Sequence, residues 1–174
     1  MKMNEPINPT IYSFPPIANP ECTVLILGTM PGKESLRAQA YYAHGQNAFW
    51  KIIFALYNRP FSFNIEIRKE ILLQNGIALW DVLKYCERES SLDSDIRQEV
   101  PNDLRTFLFT YPYISKIFFN GAGAGKFFKK YFPDINLPTL TLPSTSPAHA
   151  IKWEHKLQVW TIINPETDKK FTIP

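Results

Sequence analysis

Cysteine is nearly absent from this 174-residue chain, which holds only Cys22 and Cys86. Two thiols far apart in sequence exclude a disulfide scaffold and are too few for an all-cysteine zinc or iron–sulfur site. They agree with a reducing compartment. No apolar run reaches transmembrane length, and the N-terminus lacks a basic-plus-apolar secretion signal. The expectation is a soluble, cytoplasmic protein with no membrane partner. Histidine is scarce too, at three residues, and no Ser-His-Asp or Cys-His arrangement can be assembled. No Gly-Lys-Ser/Thr run exists to hold a nucleoside triphosphate. Repeats, low-complexity tracts and linkers are also missing. Charge imbalance is small, at +3, which permits a polyanionic partner without singling one out. What the chain has in quantity is apolar material, 45% of its residues, enough for the core of one domain.

The organising stretch is Val24–Trp50. It opens with Val24-Leu25-Ile26-Leu27, an apolar run suited to a strand buried on both faces of a parallel sheet. Gly28 breaks the run, Pro31-Gly32 turns the chain away, and a long polar loop follows. Such a loop at the end of a buried strand is where an α/β protein keeps its ligands. Asn47 stands where the N-cap of a helix over Ala48–Tyr57 belongs. Before this stretch, Met1–Pro20 is proline-rich and reads as an extended arm, and residues 21–174 read as a single domain.

Taken in order, strands are expected at Thr23–Gly28, Ile77–Val82, Ile114–Asn120 and Thr139–Leu142. Helices are expected at Ile65–Gln74, closed by Asn75-Gly76, and at Asp103–Thr110, capped by Asn102. A short basic helix, Lys126–Tyr131, should follow a glycine-rich turn, and a final helix should span about Ala148–Ile163. Glu87–Glu99 is polar and reads as an exposed loop. Asn164–Pro174 reads as a small strand or an unstructured tail. The alternation argues for a three-layer α/β/α sandwich around a mostly parallel four-stranded sheet.

Taken singly, the motifs are modest. Gly121-Ala-Gly-Ala-Gly125 does not complete a dinucleotide fingerprint, so close helix–strand packing is its better explanation. Pro143-Ser144-Thr145-Ser146-Pro147 alone is a proline-bounded turn. Tyr41 and Tyr42 alone are core or lid residues, and His44, His149 and His155 are ordinary loop residues. Glu66 and Glu70 share a solvated helix face.

Together, three of these segments resemble the uracil-DNA glycosylase superfamily. Leu27-Gly28-Thr29-Met30-Pro31-Gly32 resembles its first motif, Gly-x-x-Pro-Gly. Tyr42-Ala43-His44-Gly45-Gln46-Asn47-Ala48-Phe49-Trp50-Lys51 resembles the Phe-Ala-His-Pro-x-Asn-x-Phe-Trp-Lys run of the mismatch-specific branch. Leu142-Pro143-Ser144-Thr145-Ser146-Pro147-Ala148 takes the place of the last motif, the loop that enters DNA. Within the superfamily the likeness is strongest to the hypoxanthine-DNA glycosylase branch, which shares the Met-Pro-Gly and the Ser-Thr-Ser-Pro-Ala. Three positions depart from the uracil-removing branches: Met30 replaces a water-positioning Asp or Asn, Leu142 a histidine, and Gly45 a proline.

The resemblance implies a monofunctional enzyme of base excision repair that hydrolyses the N-glycosidic bond of a flipped-out deaminated base in double-stranded DNA. Hypoxanthine is the implied base, with a mismatch uracil or xanthine glycosylase, or an inactive nucleic-acid-binding homologue, as alternatives. No metal or cofactor is implied, and the protein is expected to be a monomer. Asn47 is the implied catalytic residue, orienting water against an oxocarbenium-like sugar. Tyr42 would stack on the base, with the backbone of Thr29 and Met30, His44 and Asn120 as further base-binding candidates. Pro31, Gly32, Ser144, Thr145, Ser146 and Pro147 would meet the DNA. Lys33 is a solvated or phosphate-facing lysine rather than a Schiff-base nucleophile.

Overall fold

The computed structural model describes residues 8–164. In chain order its elements are β1 (Thr10–Tyr12), β2 (Val24–Gly28), α1 (Lys33–Ala38), α2 (Phe49–Leu56), α3 (Ile65–Gln74) and β3 (Ile77–Asp81). Then come β4 (Leu83–Glu87), β5 (Arg97–Pro101), α4 (Leu104–Thr110), β6 (Lys116–Asn120), α5 (Ala122–Tyr131), β7 (Thr139–Leu142) and α6 (Trp153–Trp160).

Four strands form a parallel sheet in the order β3-β2-β6-β7. Successive side chains on a strand face opposite ways, and both faces of this sheet are covered. Leu25 and Leu27 pack with Ile117, Phe119 and the α4 and α5 residues Leu104, Phe107, Ala124 and Phe128. Ile26 and Phe118 pack on the other side with Phe49, Ile53, Ile71, Leu72 and Trp160 from α2, α3 and α6. The expected α/β/α sandwich is therefore present, with one core on each face of the sheet.

A second sheet, antiparallel and ordered β1-β4-β5, was not legible as such. It overturns the reading of Glu87–Glu99 as a loop, since Glu87 ends β4 and Arg97–Pro101 is β5. The reason is burial pattern. Leu83 and Cys86 point inward while Lys84 is exposed, and charge on the outer face of a small antiparallel sheet masks its apolar side. The proline-rich arm contributes β1, and Ile17 bridges Leu79 at the free side of β3.

Helix boundaries shift for identifiable reasons. Asp103, not Asn102, caps α4, its side chain accepting from Thr106 N at 3.0 Å. Asn102 is buried instead, and its Nδ2 donates to Asp81 O at 2.8 Å and Leu83 O at 3.0 Å, stapling the chain where it leaves one sheet for the other. The glycine-rich run is not a turn before a helix. Gly121, at φ 91°, is the N-cap of α5, and Gly123 and Gly125 lie inside the helix. A Cβ on Gly125 would stand 3.1 Å from the Phe119 ring, so the run serves close helix–strand packing. The last helix is shorter than expected, because Ala148–Lys152 is spent on turns and α6 begins at Trp153. Of the expected tail, residues 165–174 lie outside the described residues, as do 1–7 of the arm.

Candidate active site

Loops from the carboxyl ends of the parallel strands enclose a cavity of about 530 Å³. Parallel strands leave their ends unpaired at one edge of the sheet, so the connecting loops converge there. The cavity brings together the residues expected to act on the base or meet the DNA: Thr29, Met30, Pro31 and Gly32; Tyr42, His44 and Asn47; Asn120; and Ser144, Thr145, Ser146 and Pro147. It also recruits Asp81 and Asp93, which sequence reasoning passed over.

The floor is built by close approach. Gly28 ends β2, and a Cβ there would lie 2.5 Å from Asp81 Oδ1 and 2.7 Å from the Tyr42 hydroxyl. Only glycine allows both groups to reach this point. Tyr42 is held at φ 51° with its ring stacked on Phe49, centroids 4.1 Å apart. A non-glycine residue in this conformation marks strain that the surroundings enforce. Asp81 Oδ2 and the Tyr42 hydroxyl are both buried without a hydrogen-bond partner among the described residues. Burial, reinforced by the charge of Asp93 and opposed by Arg88, pushes the Asp81 carboxyl up to about 7. Burial and the Asp81 charge push the Tyr42 phenol upward as well, so it remains protonated at neutral pH.

The first-motif loop is held from behind. Arg88 is 2% exposed and its Nη2 donates to Pro31 O, while its Nε and Nη1 have no partner among the described residues. Thr29 Oγ1 donates to Asp93 Oδ2 at 2.8 Å. Asp93 comes from the turn between β4 and β5 and stands exposed at the cavity mouth. Enough protein surrounds its carboxylate to raise its pKa by desolvation, against the Thr29 hydrogen bond and Arg88. Met30, which borders the cavity, and Leu142 pack in the two apolar cores, so neither offers a polar group.

Asn47 is half-buried, and its Oδ1 accepts from Phe49 N at 3.0 Å. Its expected capping role is therefore met from one position before the geometric N-cap, Ala48. The amide Nδ2 has no partner among the described residues and remains a donor. His44 is exposed, and its Nδ1 accepts from Gln46 N at 3.1 Å.

The last loop is clamped at several points. Asn120 Nδ2 donates to Thr145 Oγ1 at 2.8 Å, and Asn120 Oδ1 accepts from Thr145 N at 2.9 Å. Ala48 N donates to Thr145 O at 3.0 Å. Buried Lys156 donates to Ser146 O, and Trp160 Nε1 to Pro143 O. Thr145 is thus the anchor of the loop, fully buried, and Asn120 is its clasp. Ser144 and Ser146 each accept a backbone N–H from two residues on, at 3.2 Å, which leaves both hydroxyl hydrogens free to donate.

Asp81 had a sequence signal: like Asn120, it is a polar residue ending an apolar strand on the ligand side. Asp93 and Arg88 had none, because nothing in their segment is periodic. Among the described residues no group of three His, Cys, Asp or Glu side chains is placed to hold a metal.

A parallel α/β/α sandwich with its cavity at the strand ends, walled by these three loops, defines a class: the chain belongs to the uracil DNA glycosylase superfamily, whose model matches residues 15–168. It is a DNA glycosylase, a hydrolase of N-glycosyl bonds that serves base excision repair. Among its relatives is the hypoxanthine DNA glycosylase of Methanosarcina barkeri (strain Fusaro / DSM 804), 35% identical over 115 residues, which are 66% of this chain and 73% of that one. The hypoxanthine DNA glycosylase of Methanosarcina acetivorans is 32% identical over 151 residues, 86% of this chain and 95% of that one. A solution NMR structure of a candidate uracil DNA glycosylase from M. acetivorans superposes with a TM-score of 0.75 at 31% identity, covering 88% of this chain and 98% of that one.

Proposed function

We propose that the base released is hypoxanthine, from deoxyinosine in double-stranded DNA, by a single hydrolytic step in which the protein acts as a cytoplasmic monomer without metal or cofactor. The observation that carries this reading is the floor carboxyl of Asp81, buried with Oδ2 unpartnered in a cavity roomy enough for a purine, where burial favours its neutral form. A neutral carboxyl both accepts and donates a hydrogen bond, which matches the N–H and C=O of a lactam edge such as N1–H and O6 of hypoxanthine. A lactam is also present in uracil and xanthine. The names of the Methanosarcina relatives favour hypoxanthine among the three.

The base must leave the duplex to reach this floor, and a mispaired deaminated base costs least to extrude. One face of Tyr42 is taken by Phe49, and the other receives the base. Backbone groups of Thr29 and Met30 border the same pocket, and His44 closes its rim. As the glycosidic bond lengthens, positive charge builds on the sugar. Asn47 Nδ2 donates to the attacking water and fixes its position. A hydrogen bond from Asp81 to O6 stabilises the electron pair arriving on the base. Ser144 and Ser146 hold flanking phosphates through their free hydrogens, Pro147 fills the vacated space, and Pro31 and Gly32 border the strand.

The test is base release from short duplexes carrying one hypoxanthine, uracil or xanthine, read by alkaline strand cleavage. Release of hypoxanthine with little of the others is expected, and Asn47→Ala should slow it by about 10²-fold or more. Preferential release of uracil would reassign the substrate. Full activity of the variant would remove Asn47 from the mechanism.

A further inference from the structure

Hydrolysis of the glycosidic bond releases a proton from the attacking water, and a group placed to take that proton speeds the step. Asn47 is not that group, because its Oδ1 is committed to Phe49 N and its Nδ2 only donates. Among the described residues three carboxylates border the cavity: Glu34, Asp81 and Asp93. Glu34 is ion-paired to Arg37 at 2.6 Å. Asp81 lies buried in the floor, with Oδ2 sealed from solvent. Asp93 alone combines exposure at the cavity mouth with a fixed orientation. Its Oδ2 accepts from Thr29 Oγ1 at 2.8 Å, which leaves Oδ1 without a bonding partner among the described residues. Its place is set by the fold from two sides, because a Cβ on Gly123 in the first turn of α5 would stand only 2.2 Å from Oδ2. His44 has its Nδ1 acceptor occupied by Gln46 N, so its other ring nitrogen carries the hydrogen when the ring is neutral.

We propose that Asp93, carried into the cavity by the turn between β4 and β5, is the general base of the glycosylase reaction. The inference rests on the hydrolytic reading above and adds a residue from outside the three recognised loops. In the step, the C1′–N9 bond breaks with its electron pair going to the base, and the water oxygen bonds to C1′. One water proton passes to Asp93 Oδ1 and is returned through solvent to the departing base. Neutral hypoxanthine leaves, the new hydroxyl stays on C1′ of the abasic sugar, and the carboxylate is restored.

The charged and titratable groups that act on Asp93 are Arg88, Asp81, Tyr42 and Cys86. The turn of α5 packed against it, Ala122–Gly125, has no ionisable side chain. The rate should therefore rise with pH along an acid limb as Asp93 ionises. Asp93→Asn keeps an acceptor for Thr29 but cannot take a proton. Single-turnover release on deoxyinosine duplex from pH 5 to 9 should fall by about 10²-fold or more at neutral pH and lose its acid limb, with affinity for abasic DNA unchanged. Gly123→Ala leaves the carboxylate intact but displaces it, so it should also slow the reaction, and the two changes together should cost no more than Asp93→Asn alone.

A rate within threefold of wild type in Asp93→Asn would overturn the proposal. So would a lower melting temperature with the acid limb intact, which is what a purely structural role gives, or loss of that limb instead on His149→Gln, a change at the other histidine that lines the cavity besides His44. Wild-type release of uracil in place of hypoxanthine would correct the substrate alone, and the same variant would then be scored on that base. A wild type that releases no base from any duplex would overturn both.

Discussion

Asp81 and Asn47 are both polar residues in an apolar setting, and their hydrogen bonding gives them opposite economies. Asn47 has its acceptor satisfied locally and is only half-buried, so its spare donor can be met by water and costs little. Asp81 is 3% exposed with an unpartnered oxygen, a situation that favours the neutral acid. Its carboxyl moves from an ordinary 3.8 to about 7. The folded chain therefore binds more protons than the unfolded chain between those values, and stability falls as pH rises through the window. Full ionisation would remove roughly 4 kcal/mol, a drop in melting temperature on the order of 10 °C. Asp93 is raised too and adds in the same direction. The exposed Asp103 and Asp134 are lowered and act below the window, with opposite sign. Asp81→Asn should flatten most of the decline between pH 5 and 8 in thermal melts. An unchanged slope would mean that another buried group is responsible.

At the scale of elements, the last loop works as a rigid part because Asn120 at the end of β6 grips Thr145 twice. If Asn120 acts through Thr145, Asn120→Ala and Thr145→Val should each weaken lesion binding and lower stability, by roughly 1–3 kcal/mol for a broken buried bond. The double variant should be little worse than either single one. Additive losses in base release would instead give Asn120 a contact of its own with the base. The parallel strands and their loops were legible because continuous apolar runs ending in glycine, asparagine or aspartate say where a buried strand stops. Even the long loop after β2 was marked by its length, though not the short helix α1 inside it. The β4–β5 segment was illegible for the opposite reason. Its only buried charged residue, Arg88, looks in sequence like any other member of a polar run, and its contact with Pro31 O spans 57 residues. Asn102 misled in a different way. Its side chain is a good cap by type, but the sheet-to-sheet bend needed a donor for two carbonyls, and the adjacent Asp103 was free to cap α4.

At the scale of the whole molecule, the fold assembles its chemistry at one edge of the parallel sheet, yet the chain as a whole carries only +3. So small an excess gives little long-range attraction to DNA, and binding must rest on a few cations placed at the cavity mouth. Lys33 is the clearest of these. It is exposed on the cavity lining directly after the first-motif glycine, with its backbone N anchored to Ser91 Oγ at 3.0 Å. By contrast, Arg37 is paired with Glu34 and Lys156 is turned inward onto Ser146 O. A lysine that meets a phosphate adds the same free energy on any sequence, whereas one that meets the base adds it only on the lesion. Lys33→Ala should weaken binding to deoxyinosine duplex and to undamaged duplex by equal factors. It should also lower the slope of log affinity against log salt by about 1, as loss of one phosphate contact requires. Anisotropy titrations of both duplexes at several salt concentrations measure this. A loss confined to the deoxyinosine duplex, with the salt slope unchanged, would put Lys33 inside the base pocket and leave the cations that hold the backbone to be sought elsewhere on the rim.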